Sequence, residues 1–150
     1  MKIIIQRSLE SNVIINNKIV GKIDKGLVLL VGFTNNDNEI IIDKMINKIL
    51  KLRIFDDEEG IMNKSIQDIN GSILSISQFT LYADTKKGNR PSYSKAMKSN
   101  EASKLYDLFN QKLKSKINVE TGIFGSNMQV NITNDGPVTI ILESEDLWVN

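Results

Sequence analysis

Two short stretches hold most of the residues able to do chemistry, Ser77-Gln78-Phe79-Thr80-Leu81-Tyr82 and Asn134-Asp135-Gly136-Pro137-Val138-Thr139. The first offers hydroxyls and an amide, the second a Gly-Pro backbone beside a carboxamide and a carboxylate. They stand out because the 150 residues contain neither His nor Cys. Imidazole bases, thiol nucleophiles, zinc sites built on His or Cys, iron–sulfur clusters and His-ligated haem are thereby excluded. A threonine hydroxyl is a weak nucleophile unless a base takes its proton. Thr80 therefore reads two ways, as a strand threonine that packs and hydrogen-bonds, or as a nucleophile with Ser77 and Gln78 as neighbours. Strand periodicity puts Gln78 and Thr80 on one face and Ser77 and Phe79 on the other, with Phe79 and Leu81 assigned to the core.

Asn-Asp-Gly-Pro is the composition of an ordinary turn, and that is the plainer reading of Gly136-Pro137. The sharper one is a cis bond that holds backbone carbonyls in a fixed direction. Lys86-Lys87-Gly88-Asn89-Arg90-Pro91, with Lys95 and Lys98 beyond it, is the densest basic segment, either a solvated loop or a phosphate-contacting patch. Phe124, between Gly122 and Gly125, reads as core or as a platform for a base. Asp56-Asp57-Glu58-Glu59-Gly60 has metal-ligand composition without EF-hand spacing, and reads as a solvated turn. Phosphate-binding and dinucleotide-binding glycine fingerprints are absent.

The elements that must position these residues follow from periodicity. Ile3 to Ile15 carries β-branched content at both ends, and Asn16-Asn17 within Val13 to Val20 predicts a hairpin turn. Gly26 to Phe33 is an apolar run that suits a strand buried on both faces. Asn36 followed by Glu39 has capping-box spacing ahead of apolar positions 42, 45, 46, 49 and 50, which predicts a helix. Ser72 to Tyr82 reads as a strand and Ala83 to Pro91 as a polar loop. A second helix is predicted from about Glu101 to Ser115, with Ala102, Leu105, Tyr106, Phe109 and Leu113 as its core stripe. Strands follow around Asn118 to Thr121, Met128 to Thr133 and Val138 to Glu143. No linker or repeat divides the order, so a single domain over 1–150 is expected. A net charge of +1 gives no global pull toward nucleic acid, so any polyanion site must be a local patch. No signal peptide or membrane-spanning run is evident, which predicts a cytoplasmic protein.

Together these segments resemble the D-aminoacyl-tRNA deacylases, the D-Tyr-tRNA(Tyr) deacylase family, over nearly the whole length. The likeness runs from Gln6-Arg7 through Gly21 and Gly26-Leu27 to Ser77–Leu81 and Lys86–Tyr93, and closes with Thr121–Gly125, Met128–Val130 and Asn134–Thr139. Ser126-Asn127 departs from the family, which more often shows a small residue followed by Asp. The resemblance implies an α/β three-layer β/β/α domain, homodimeric, with each active site at the subunit interface and no cofactor or metal. It implies a catalytic segment Ser77, Gln78, Phe79 and Thr80, and from the partner a cis Gly136-Pro137 buttressed by Arg7, whose carbonyls exclude L side chains. Phe124 would sit against the terminal adenine, and Lys86, Lys87 and Arg90 would contact tRNA. The implied reaction is hydrolysis of the ester in D-aminoacyl-tRNA, and of mischarged glycyl-tRNA. The partner is aminoacyl-tRNA, with no DNA and no membrane. With no His to act as base, the resemblance supports the vicinal ribose hydroxyl of the substrate in that part, with Thr80 as nucleophile the alternative and backbone N–H groups near Phe79 and Thr80 as oxyanion donors. The rivals are a tRNA-binding module without turnover and a metal hydrolase using Asp56, Asp57 and Glu58.

Overall fold

The computed structural model describes residues 1–148. Its central sheet has the strand order β10-β1-β4-β7-β8, built from β1 (Lys2–Ser8), β4 (Gly26–Gly32), β7 (Ser72–Ser77), β8 (Val119–Thr121) and β10 (Asn134–Glu143). β1 lies antiparallel to both β10 and β4, whereas β4, β7 and β8 run parallel. A smaller sheet of β3 (Lys18–Ile23), β2 (Ser11–Ile15) and β9 (Gln129–Asn131) covers part of one face. Helices α1 (Glu39–Lys51) and α2 (Ser99–Lys114) cover the other.

The three layers follow from side-chain alternation along β4. Leu27, Leu29 and Val31 pack under the helices with Ile3, Ile5 and Phe109, whereas Val28 packs against the small sheet with Val13, Ile23 and Leu74. A strand apolar at every position is what burial on both faces requires. Gly26 opens β4 at φ 152°, where an added Cβ would lie 1.8 Å from the Ser72 carbonyl oxygen, so only glycine lets β4 and β7 start side by side. Helix α1 buries Ile42, Met45, Ile46, Ile49 and Leu50, the stripe predicted from the sequence. Each of these side chains contributes roughly 1.5–3 kcal/mol of burial.

Several boundaries differ from expectation. The cap of α1 is Asn38, whose Oδ1 accepts from Ile41 N at 3.2 Å, while Asn36 sits in the preceding turn at φ 74°. The run Ile3 to Ile15 is two strands in different sheets, separated at the exposed pair Leu9-Glu10. The hairpin at Asn16-Asn17 is present, both residues having positive φ as its two-residue turn demands. A further hairpin, β5 (Phe55–Asp56) with β6 (Met62–Lys64), lies in the stretch read as an acidic loop. Strand β7 stops at Ser77 rather than running to Tyr82, because β4 ends at Gly32 and offers no further ladder. Gln78 N makes the last such bond, to Val31 O at 2.8 Å, and Phe79–Tyr82 turns away as a 3-10 helix. No helix among the described residues is long and apolar enough to cross a membrane.

Candidate active site

At the C-terminal end of β7 lies a pocket of about 730 Å³. Ser77, Gln78 and Phe79 form one side, Phe124 with Gly125 and Ser126 another, and Tyr93, Met97 and Lys98 lead into α2. Phe79 and Tyr93 meet edge to face at 5.0 Å between centroids and form an exposed aromatic lip. Phe79 is thus not the core residue that strand periodicity suggested, since the chain leaves the strand before reaching it. Phe124 is half-buried, packing on the main core as one of its two readings had it, and it also lines the pocket. Its loop is tied to β7 through Ser75 O, which accepts from Tyr106 Oη at 2.8 Å and from Gly122 N at 3.3 Å.

The 3-10 turn has a chemical consequence. Among the described residues neither Phe79 N nor Thr80 N donates to a protein acceptor, so two adjacent backbone donors are open at the pocket mouth. The Thr80 hydroxyl oxygen accepts a hydrogen bond from Gln78 Nε2, an amide that cannot take its proton. Tyr82, the nearest titratable hydroxyl in sequence, is pushed well above its usual range by burial, reinforced by Asp37, Glu143 and Glu145, and remains a neutral phenol.

Arg7, Gly136 and Pro137 are at the other end of the sheet. Arg7 pairs with Leu27 at the start of β4, whereas Ser77 pairs with Val31, four residues along and therefore about 13 Å away. The Arg7 guanidinium is buried and engaged through two of its nitrogens: Nη1 donates to Ile54 O at 3.0 Å and lies 3.4 Å from Asp56 Oδ1, and Nε donates to Asp135 O at 3.2 Å. Gly136-Pro137 is a cis peptide, but in a bulged edge strand rather than a turn. Gln6 pairs with Thr139 and Ser8 with Asn134, so the intervening residues arch out of the ladder. Asn134 closes the arch, its Oδ1 accepting from Val138 N at 3.3 Å and its Nδ2 donating to Thr139 Oγ1 at 2.9 Å.

A family model described as D-Tyr-tRNA(Tyr) deacylase matches residues 4–143. The chain belongs to this family. Its activity is that of a D-aminoacyl-tRNA deacylase, a hydrolase of a carboxylic ester, with aminoacyl-tRNA as substrate. Among solved structures, the c-Myc DNA Unwinding Element Binding Protein is 38% identical with a TM-score of 0.91, over 95% of this chain and 98% of that one. A probable eukaryotic D-amino acid tRNA deacylase, 18% identical, shares the fold at a TM-score of 0.80, over 94% of this chain and 97% of that one.

In the deacylase, the expected site residues therefore fall into three places. Ser77, Gln78, Phe79 and Phe124 converge on one pocket, whereas Thr80 is not among its lining residues and is tied to it through Gln78 Nε2. Lys86, Lys87 and Arg90 are exposed on the loop that leads to Tyr93. That loop is pinned at its base by Asp84, whose carboxyl is held below the usual range by the Lys86 backbone amide and by Lys95. Sequence reading did not mark Tyr93, Met97 or Lys98 as pocket residues, nor Ile54, Asp56 and Asp135 as the partners of Arg7. The only signal for the first group was their position directly after the basic loop, and for Asp135 its place beside Gly136. The acidic turn is structural: Asp57 Oδ1 accepts from Glu59 N and Ile61 N at 2.9 and 3.0 Å.

Proposed function

We propose that the protein is a cytoplasmic homodimer, each chain one domain over residues 1–150, in which Gly136-Pro137 and Arg7 of one protomer complete the pocket of the other. The observation that carries this reading is the separation of the two half-sites by the length of a sheet whose face between them is uncovered. The small sheet covers Val28, Leu74 and Ile76, with Leu30 half-buried at the margin of that cluster, but on the same face of β10 and β1 Ile141 is 63% exposed beside the half-buried Ile4. Lys2 and Glu143 form an ion pair at 3.0 Å on its rim. An apolar face with a charged rim suits a two-fold interface, in which each surface meets itself reversed. Reversal sets the Gly136 end of one chain against the Phe79–Thr80 end of its partner.

The ester carbonyl of the substrate then lies where the Phe79 and Thr80 amides can stabilise the oxyanion formed when water attacks. The proton released by the water passes by way of the vicinal ribose hydroxyl to the departing ribose oxygen, giving a free amino acid and tRNA. Among the described residues no base accepts a proton from Thr80 Oγ1, which favours this route over an acyl-threonine. Phe124 supports the terminal adenine, and Lys86, Lys87 and Arg90 meet backbone phosphates. The carbonyls of Gly136 and Pro137 face the substrate Cα and exclude an L side chain, while a D side chain points away and glycyl-tRNA, with nothing to exclude, is accepted. The test is release of D-tyrosine from D-tyrosyl-tRNA under conditions where L-tyrosyl-tRNA survives. Equal hydrolysis of both would refute the chiral filter, and binding of tRNA without any turnover would favour the non-catalytic module.

A further inference from the structure

A second basic surface lies far from the Lys86–Arg90 loop. The C-terminal half of α1 and the segment after it form an open groove of about 520 Å³, lined by Lys44, Asn47, Lys48, Lys51 and Arg53 together with Leu52 and Leu147. Lys48, Lys51 and Arg53 are exposed, and among the described residues neither lysine has an ion-pair partner. Arg53 donates from Nε to Asn63 O at 3.0 Å and from Nη2 to Asn63 Oδ1, which fixes the plane of the guanidinium on neutral acceptors and leaves its charge uncompensated by a direct pair. The carboxylates of α1 are already occupied, Lys112 lying 2.7 Å from Glu39 and 2.8 Å from Asp43. Glu145 and Asp146, on the neighbouring 3-10 turn Ser144–Trp148, are the acidic groups on the adjoining wall, and Asp68 lies within the field of Arg53. Favourable placement of cations in a last helical turn accounts for Lys48 and Lys51. It does not account for Arg53 extending the row beyond the helix.

The position of the groove gives the charge a use. Arg53 directly precedes Ile54, whose carbonyl holds Arg7, and Arg7 in turn holds Asp135 beside Gly136. The groove is therefore part of the Gly136 end of the molecule, remote from the pocket of its own chain. We propose that it binds backbone phosphates of the tRNA whose 3′ end occupies the pocket of the partner protomer. The RNA then crosses the dimer, held by the Lys86–Arg90 loop of one chain and by Lys48, Lys51 and Arg53 of the other. This inference rests on the dimeric deacylase reading above. A neutral chain needs such local patches, because its net charge attracts no polyanion.

The test compares the unmodified protein with a Lys48→Ala, Lys51→Ala double variant. Binding of uncharged tRNA is measured across a salt series, and deacylation is measured on D-tyrosyl-tRNA and on 3′-O-D-tyrosyl-adenosine, which has the ester and no phosphates. The slope of log affinity against log salt should become shallower by about 0.7–0.9 for each phosphate contact removed. KM for D-tyrosyl-tRNA should rise several-fold, with turnover of the adenosine ester unchanged and the dimer intact. An unchanged salt slope and KM would overturn the groove assignment while the deacylase reading stood. An equal fall on both substrates would also overturn it, since the groove would then act on the ester rather than on the RNA. If the unmodified protein failed to hydrolyse the adenosine ester and the charged tRNA alike, the underlying reading would fall, and this inference with it.

Discussion

The two ends of the central sheet are finished in opposite ways. At the Phe79 end the strand stops short, the aromatic lip is exposed and two backbone amides have no acceptor among the described residues. At the Arg7 end the guanidinium is buried, its Nε and Nη1 are committed, and an asparagine side chain closes the arch that carries Gly136-Pro137. One end holds donors ready for charge that has yet to develop; the other holds backbone in place and has little left to give. A reaction centre needs both properties, the first to stabilise a transition state and the second to refuse the wrong substrate. Neither is useful alone, which is the reason for the proposal that they meet at an interface between two copies.

The comparison breaks most completely if the ends never meet. Ile141→Glu places a charge on the uncovered face without disturbing the monomer core, and should yield a folded monomer with deacylation near background. A monomer by sedimentation that keeps full activity would show that one end suffices. Next in size is a change in the substrate. A tRNA ending in 2′-deoxyadenosine and charged at the 3′ position should react about 10²–10⁴-fold more slowly, the usual range for losing an acid–base group. An undiminished rate would return the burden of proton transfer to the protein.

The buttressing end is tested by Arg7→Ala. Ile54 O and Asp135 O lose their donor, which costs about 1–3 kcal/mol of stability in a denaturant titration. Discrimination between L- and D-tyrosyl-tRNA should fall about tenfold or more, with the ester chemistry on the D form affected less. Retained stereoselectivity in a destabilised variant would mean that Arg7 supports the fold and not the filter. At the open end, Thr80→Ala should cost less than about tenfold in kcat, because its hydroxyl has no base; a trapped acyl-enzyme on Thr80 would reverse that assignment. The smallest effect concerns the hairpin that carries Asp56. The Asp57 carboxyl is held below its ordinary value of 3.8, chiefly by the Ile61 amide and then by Asn63 and Glu59. A lowered folded value means that its contribution to stability is complete above that pH and fades as the pH falls through the folded value. The loss of stability on acidification below pH 3.8 should therefore be slightly smaller in Asp57→Asn than in the unmodified protein, and an identical acid limb would show that the turn does not depend on the charge.

Periodicity made the framework legible. The stripe on α1, the stripe on α2 and the doubly buried β4 were all readable, because burial on one or both faces dictates residue type along an element. What escaped was set by neighbours rather than by local sequence. Ser72 to Tyr82 has strand composition throughout, yet β7 ends where β4 runs out, so Phe79 reaches solvent. Asn36 and Asn38 are equally good caps by composition, and the positive φ of Asn36 decides between them. Asn134 to Thr139 has turn composition but occupies an edge strand, where a proline costs no ladder hydrogen bond. The pocket side of the site was visible in one motif, whereas the Arg7 cluster joins residues 7, 54, 56 and 135, a combination no short pattern contains.

The parallel pairing of β4 with β7 also works as a gauge. Both half-sites are registered on β4, Arg7 of β1 opposite Leu27 and Ser77 of β7 opposite Val31, so their spacing along the sheet is a count of peptide units. Removing one residue between Leu27 and Val31 would invert the alternation that separates the two cores and would shorten the spacing in the same step. In the proposed homodimer, the distance between the two reaction centres would follow from the length of that strand.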